Sequence, residues 1–275
     1  MKNYLITGCA SGIGAQLARE LLICGARVCA ADINVVPMEA LKASAASADQ
    51  LWLTPLDVRD AAAWDALVAE FVLRWGRLDV ILNVAGVLRP GYCYEGDARD
   101  VDFHFDVNAK GVIHGTRAAA RQMLQQGGGH IINIASLAGL APVPGLSLYS
   151  ASKFAVRGYT LAVAHELRDK GIKVTVVCPD AVQTPMLDLQ VDYEQAALTF
   201  SGSRSLTTQQ VVDAILKRAL VKAPIEITLP GSRGAVSKFA SIFPGLSALM
   251  LNALKQRGRQ QQAAIKKSAG HSHTY

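Results

Sequence analysis

The chain has 275 residues, 51% of them hydrophobic, enough to bury one large α/β core or two small ones. It carries 28 basic and 22 acidic residues, but seven of the basic and none of the acidic ones lie from Gly231 onward, which leaves 21 against 22 in residues 1–230. The positive balance therefore belongs to a tail (Arg233, Lys238, Lys255, Arg257, Arg259, Lys266, Lys267), and composition gives no case for a nucleic-acid-binding body.

No run of 18 apolar residues occurs, which argues against a transmembrane helix, and the N-terminus enters an apolar run without the pattern of a signal peptide. Cys9, Cys24, Cys29, Cys93 and Cys178 are scattered and odd in number. They read as small core hydrophobes of a reducing, cytoplasmic protein rather than a disulfide or metal framework. The six histidines form no H-E-x-x-H or comparable array, so no metal is expected.

Short β-branched runs alternate with amphipathic segments from the start, the pattern of a parallel sheet wrapped by helices. Strands are expected near 3–7, 27–31, 51–54, 79–84, 130–135, 172–178 and 225–229. Helices are expected over about 12–24, 37–47, 60–74, 98–125, 149–170 and 207–222. This is a doubly wound, Rossmann-like α/β domain over residues 1–230, followed by an amphipathic, basic extension over 231–275. The weakly periodic stretch from Gln183 to Leu206 is long for a compact domain and reads as a lid over a site.

Chemistry enters at the first turn. Gly8, Ser11, Gly12, Ile13 and Gly14 follow the first strand and open a helix, so backbone amides there can approach a pyrophosphate. Asp32 ends the second strand, 18 residues after Gly14. A carboxylate at that position accepts hydrogen bonds from both adenosine ribose hydroxyls and repels a 2′-phosphate. No arginine or lysine stands at 9–11 or 33–34, so NAD(H) is expected over NADP(H). Further on, Ser136 ends an apolar run, and Tyr149 and Lys153 share a helix face at i,i+4. An ammonium about 4 Å from a phenol favours the phenolate by roughly 4 kcal/mol at an effective dielectric near 20. That lowers a tyrosine pKa by about three units and suits it to proton exchange with an alcohol or ketone.

The Thr7–Gly14 loop, Asn83-Val84-Ala85-Gly86, Asn108, Ser136 and Tyr149-Ser150-Ala151-Ser152-Lys153, in this order, make the chain resemble the short-chain dehydrogenase/reductase family. The resemblance covers roughly residues 2–230. It implies that Asp57 and Val58 hold the adenine ring, and that Asn83, Ala85 and Gly86 line the cofactor cleft. It implies that Asn108 kinks its helix and anchors a water beside the lysine. Pro179, Val182 and Thr184 match positions near the nicotinamide amide, whereas Asp180 stands where the family usually has glycine. Tyr149 would be the general acid/base, Ser136 would hold the reacting oxygen, and Lys153 would bind the ribose hydroxyls and, with the positive nicotinamide, depress the tyrosine pKa. A homodimer or homotetramer built on the 98–125 and 149–170 helices is also implied.

Leu88, Tyr92, Tyr94, Leu137, Val143, Pro144, Leu146, Met186, Leu187 and Leu189 flank these motifs, with no arginine cluster beside the catalytic stretch. The expected substrate is a lipophilic secondary alcohol or ketone, such as a retinol- or steroid-like alcohol. Two readings compete: a 3-oxoacyl thioester reductase, its basic tail attracting an acidic carrier, and a non-catalytic nucleotide sensor. In the extension, Val236, Phe239, Ala240 and Phe243 precede the break at Pro244-Gly245, and Leu246, Leu249, Met250, Ala253 and Leu254 then form one apolar stripe. With basic residues beside it, the stripe suits either packing on the protein itself or peripheral membrane contact through 231–260.

Overall fold

The computed structural model describes residues 1–271, apart from the side chains of Leu246, Ser247, Met250 and residues 268–271. Seven strands form one parallel sheet in the order β3-β2-β1-β4-β5-β6-β7. They are β1 (Asn3–Thr7), β2 (Arg27–Asp32), β3 (Leu51–Pro55), β4 (Val80–Asn83), β5 (Gly129–Ile134), β6 (Ile172–Pro179) and β7 (Glu226–Leu229). β1 and β4 are buried along their whole length, and β2, β5 and β6 nearly so, because helices cover both faces of a parallel sheet. The chain order reverses between β1 and β4, and ligands of such sheets bind beyond the strand ends at that point.

The helices are α1 (Gly12–Ile23), α2 (Ala61–Trp75), α3 (Arg99–His104), α4 (Gly111–Gln125), α5 (Ser147–Leu167), α6 (Pro185–Asp188), α7 (Thr208–Ala214), α8 (Leu220–Lys222), α9 (Gly231–Ile242) and α10 (Pro244–His271). Asp60 caps α2 by accepting the Ala62 and Ala63 amides, and Thr207 and Gln210 form a capping box on α7. The segment read as a helix over 37–47 is instead a 3₁₀ stretch, Val36–Ser44. Its buried residues, Met38 and Leu41, are three apart and eclipse at three residues per turn. The helix expected over 98–125 is broken into α3, a π-helical turn at Phe105–Lys110, and α4. That turn carries Asn108, and Gly111 just after it packs so closely that a Cβ would lie 2.8 Å from Val58 Cγ2.

The stretch read as a lid contains α6 and two 3₁₀ segments, Leu189–Asp192 and Glu194–Ser201. α10 lies across it. A Cβ on Gly258 would stand 1.8 Å from the Ala197 carbonyl oxygen, so only glycine permits this approach. Buried Gln262 donates to the carbonyls of Gln190 and Tyr193, while Arg259 pairs with Glu194 and Lys266 with Asp192. The inward face includes Leu254 of the stripe read in the sequence but not Leu249 or Ala253. Leu251, Leu254, Gly258 and Gln262 turn inward, and Leu249 is 80% exposed. Two other members of that stripe, Leu246 and Met250, lie outside the described side chains. α9 is fixed to the sheet by Glu226, which pairs with Arg157 of α5 and Lys238 of α9. Cys9, Cys29 and Cys178 are buried, but Cys24 and Cys93 are exposed rather than part of the core. Among the described residues no helix is long and apolar enough to cross a membrane.

Candidate active site

One open cavity of about 1490 Å³ runs along the C-terminal ends of the strands. Gly8, Ser11, Gly12, Ile13, Gly14, Asp32, Asp57, Val58, Ser136, Tyr149, Lys153, Pro179, Val182 and Thr184 all line it, with Asp32 on the β2 side of the sheet, Ser136 on the β5 side, and Thr184 packed beside Gly12. Ala85 and Gly86 lie along its wall.

The glycine loop has the form a dinucleotide requires. Gly8 adopts φ +74°, and a Cβ on it would stand 2.9 Å from Ala85 backbone atoms. A Cβ on Gly14 would reach within 2.2 Å of the Gly8 carbonyl oxygen, so the loop folds tightly onto the first turn of α1. Ser11 makes no side-chain cap there, which leaves the first-turn amides of α1 available to a pyrophosphate. Thr7, the first residue of that loop, fastens it to the end of β4: its hydroxyl accepts the Val84 and Ala85 amides at 3.1 and 3.2 Å. Asp32 accepts the Ala10 and Asn34 amides, both at 3.0 Å. Asp57 is bridged to Arg59, whose hydrogen bonds hold its carboxyl below the usual carboxylate range against a smaller effect of desolvation.

The register Asn83↔Asn133 and Ile134↔Val177 brings the ends of β4, β5 and β6 level. Ser136 follows β5, and its hydroxyl accepts the Ala138 amide and donates to the Pro179 carbonyl at 3.4 Å. Buried Lys153 donates from Nζ to the Ile134 carbonyl at 3.0 Å, and Nζ lies 5.7 Å from the Tyr149 ring centroid. This spacing changes the expected electrostatics. Burial pushes the Tyr149 hydroxyl up to about 12, with the Ser136 hydrogen bond opposing it. Burial pulls Lys153 down to about 8. The protein groups alone therefore keep Tyr149 a proton donor rather than a phenolate.

Two residues read as part of the site stand behind it. Asn83 does not line the main cavity; it donates to Asn133 Oδ1 at 2.8 Å and to the Thr116 hydroxyl at 3.4 Å, tying β4 to β5. Asn108 is fully buried, and its amide donates to the Val87 carbonyl and to Ser152 Oγ, while its Oδ1 accepts the Val87 amide at 2.7 Å. With both donors used, its side chain braces the β4 loop against α5. Atoms of Asn108 and Lys153 both lie beside Gly86, where a Cβ would meet them at 3.2 and 3.4 Å.

Sequence reasoning also missed the C-terminal wall. Val236, Ala240, Leu251 and Leu254 line the cavity, as do Arg233 and Arg257. Arg233 Nε lies 2.9 Å from Asp180 Oδ2, so the aspartate that departs from the family pattern is occupied by α9. Burial raises the Asp180 carboxyl above its usual value, with Arg233 acting against it. These arginines lie more than fifty residues from Ser136 in the chain, and only packing discloses them.

A glycine cradle at the β1–β4 switch point and a Ser-Tyr-Lys set across the same cavity define a nucleotide-dependent oxidoreductase. The model of the short chain dehydrogenase family matches residues 2–195, and the chain belongs to that family. A 3-alpha-(or 20-beta)-hydroxysteroid dehydrogenase of Mycobacterium tuberculosis is 39% identical over 198 residues, 72% of this chain and 75% of the relative. The 2,5-dichloro-2,5-cyclohexadiene-1,4-diol dehydrogenase of Sphingobium indicum is 37% identical over 187 residues, 67% of this chain and 74% of the relative. Among solved structures, a short-chain dehydrogenase/reductase from Burkholderia phymatum in complex with NAD has a TM-score of 0.79 at 26% identity, covering 90% of this chain and 95% of that one. ElxO with NADP bound has a TM-score of 0.74 at 30% identity, covering 82% and 96%. The protein is thus an oxidoreductase of the short chain dehydrogenase family, in which neighbours are seen with NAD and with NADP bound.

Proposed function

We propose that the protein interconverts lipophilic secondary alcohols and ketones with NAD(H). The observation that carries this reading is that Asp32, at the end of β2, and Ser136, Tyr149 and Lys153, on the β5 side of the sheet, line one cavity whose walls are largely apolar. The nicotinamide supplies or takes the hydride. Tyr149 gives its proton to the carbonyl oxygen in reduction and takes the hydroxyl proton in oxidation. Ser136 holds that oxygen, and Lys153, fixed by the Ile134 carbonyl, presents its remaining protons to the ribose hydroxyls. Asn108 keeps the β4 loop and α5 in register for these contacts. The test is initial rates with both nucleotides over a panel of alcohols and ketones of graded chain length and ring size. Rates with NAD(H) that rise with apolar bulk are expected; turnover only of 3-oxoacyl thioesters with NADPH, or of nothing, defeats the reading.

The proposal includes a dimer or tetramer built on the helices over 98–125 and 149–170, as the family resemblance implies. A second contact, with a membrane surface, is part of the same proposal. Val236, Ile242 and Leu249 are 68%, 69% and 80% exposed at the α9–α10 elbow, beside Phe239 and Phe243, whose ring centroids are 4.9 Å apart. Ala240, Pro244 and Leu251 of that elbow line the cavity, so a lipophilic substrate could enter from the bilayer. Because Lys238, Arg259 and Lys266 are engaged in ion pairs, the contact rests more on the apolar elbow than on charge. Co-sedimentation with anionic and neutral vesicles should show binding that Phe239→Ser/Phe243→Ser abolishes. Wild-type protein that stays in the supernatant with both lipids at low salt defeats it.

A further inference from the structure

Among the described residues four cationic side chains line the cavity: Arg59, Lys153, Arg233 and Arg257. Three of them have partners within the protein. Arg59 is bridged to Asp57, Lys153 donates to the Ile134 carbonyl, and Arg233 pairs with Asp180. Arg257 has neither an acidic partner nor a hydrogen-bond acceptor among the described residues. Its neighbours on α10 differ from it in this. Lys255 donates to the Tyr92 hydroxyl at 2.7 Å, Arg259 pairs with Glu194, and Lys266 with Asp192. No acidic residue occurs anywhere from Gly231 to the end of the chain to neutralise Arg257 locally.

The walls of the cavity that Arg257 lines are largely apolar. Leu251 and Leu254 precede it on α10, Ala240 lines the cavity from α9, and Leu187 and Leu198 from the lid, with Thr199, Ser201, Ser237 and Ser241 among the polar residues between them. A cavity with an alcohol-handling site, largely apolar walls and one unpaired guanidinium is complementary to an amphiphile with a single negative charge. A planar guanidinium matches a carboxylate through two parallel hydrogen bonds. A phosphate dianion would call for more than one free cation, and the other three are already engaged. We infer that Arg257 receives the carboxylate of the substrate, so that the substrates are lipophilic hydroxy and oxo acids whose carbinol or carbonyl carbon reaches Tyr149. This rests on the reading of Tyr149 and Ser136 given under the proposed function and names the substrate class within it. Because Arg257 is exposed to solvent, its effect is set at about tenfold, the low end for hydrogen bonds to a charged group.

The test compares matched pairs in which only the charge differs: a medium-chain hydroxy fatty acid and its methyl ester, and a hydroxysteroid with a side-chain carboxylate and its methyl ester. The ratio of kcat/KM for acid over ester should be about ten in the wild type and about one in Arg257→Gln. Arg257→Lys should lie between them, and Arg257→Glu should bring the ratio below one. The wild-type ratio should also shrink as salt is raised. A wild-type ratio near one, or a ratio that Arg257→Gln leaves intact, overturns the inference. Calorimetric titration with octanoate and with octanamide reads the same contact without turnover. Octanoate should bind the wild type about tenfold more tightly than octanamide and lose that advantage in Arg257→Gln. Equal binding of the two by the wild type overturns the inference even if alcohols are oxidised. Preferential octanoate binding without any alcohol turnover would support it while defeating the proposed reaction.

Discussion

Tyr149→Phe should lower turnover in both directions by at least ~10²-fold and leave NADH affinity nearly unchanged. The substitution keeps the ring and removes the one hydroxyl in the cavity that Ser136 faces and that burial holds as a proton donor. The pH profile carries a second signature. The Tyr149 pKa is raised, so the phenol predominates at neutral pH and is the form that reduction uses. Oxidation needs the phenolate, so kcat/KM for the alcohol should rise with pH below that pKa, whereas the reduction rate should fall only as the phenol is lost. The Phe variant should lack the rising limb. Lys153→Ala should differ in kind, damaging NADH affinity and rate together, because Lys153 is held against the sheet where it can serve the cofactor as well as the tyrosine. Retained turnover in Tyr149→Phe, with its limb intact, would identify another acid.

What the sequence disclosed, and what it concealed, follows the range of the interactions. The central strands were legible because β1, β4 and β5 are short, mostly apolar runs buried on both faces. The glycine loop, Ser136, Tyr149 and Lys153 were legible because their spacing is local, and the fold brings them to one cavity. The side-chain role of Asn108 was not, since it depends on Val87 and on Ser152, 44 residues away. Nor was the tyrosine's electrostatic setting: i,i+4 spacing puts Lys153 on the same helix face, but its ammonium turns to the Ile134 carbonyl and burial dominates. Leucine periodicity disclosed an apolar stripe on α10 but not that Gly258 and Gln262 complete the face that packs on the lid. The contact of Gly258 with the Ala197 carbonyl joins residues remote in the chain. Arg233 and Arg257 looked like parts of a solvated basic tail, and only tertiary packing separates the neutralised cation from the free one.

The wild type should prefer NADH to NADPH by about a hundredfold or more in kcat/KM, and Asp32 should carry that preference. A carboxylate about 4 Å from a 2′-phosphate costs roughly 4 kcal/mol at an effective dielectric near 20, and partial exposure of Asp32 reduces the effect toward two orders of magnitude. No cation of the loop offsets it, since residues 9–11 and 33–34 contain neither arginine nor lysine. Arg59 lines the same cavity, and it is held on Asp57 by hydrogen bonds of 2.6 to 3.0 Å that it would have to give up to clamp a phosphate. Asp32→Ala would remove the charge but also the acceptor for the Ala10 and Asn34 amides, loosening the loop for either nucleotide. Asp32→Asn separates these effects, because it keeps the shape and one acceptor oxygen while removing the charge. The preference should fall below about tenfold in Asp32→Asn, and Asp32→Ala should in addition lose affinity for NADH itself. Equal wild-type kcat/KM for the two nucleotides would remove Asp32 from the selection of the cofactor and shift attention to Arg59.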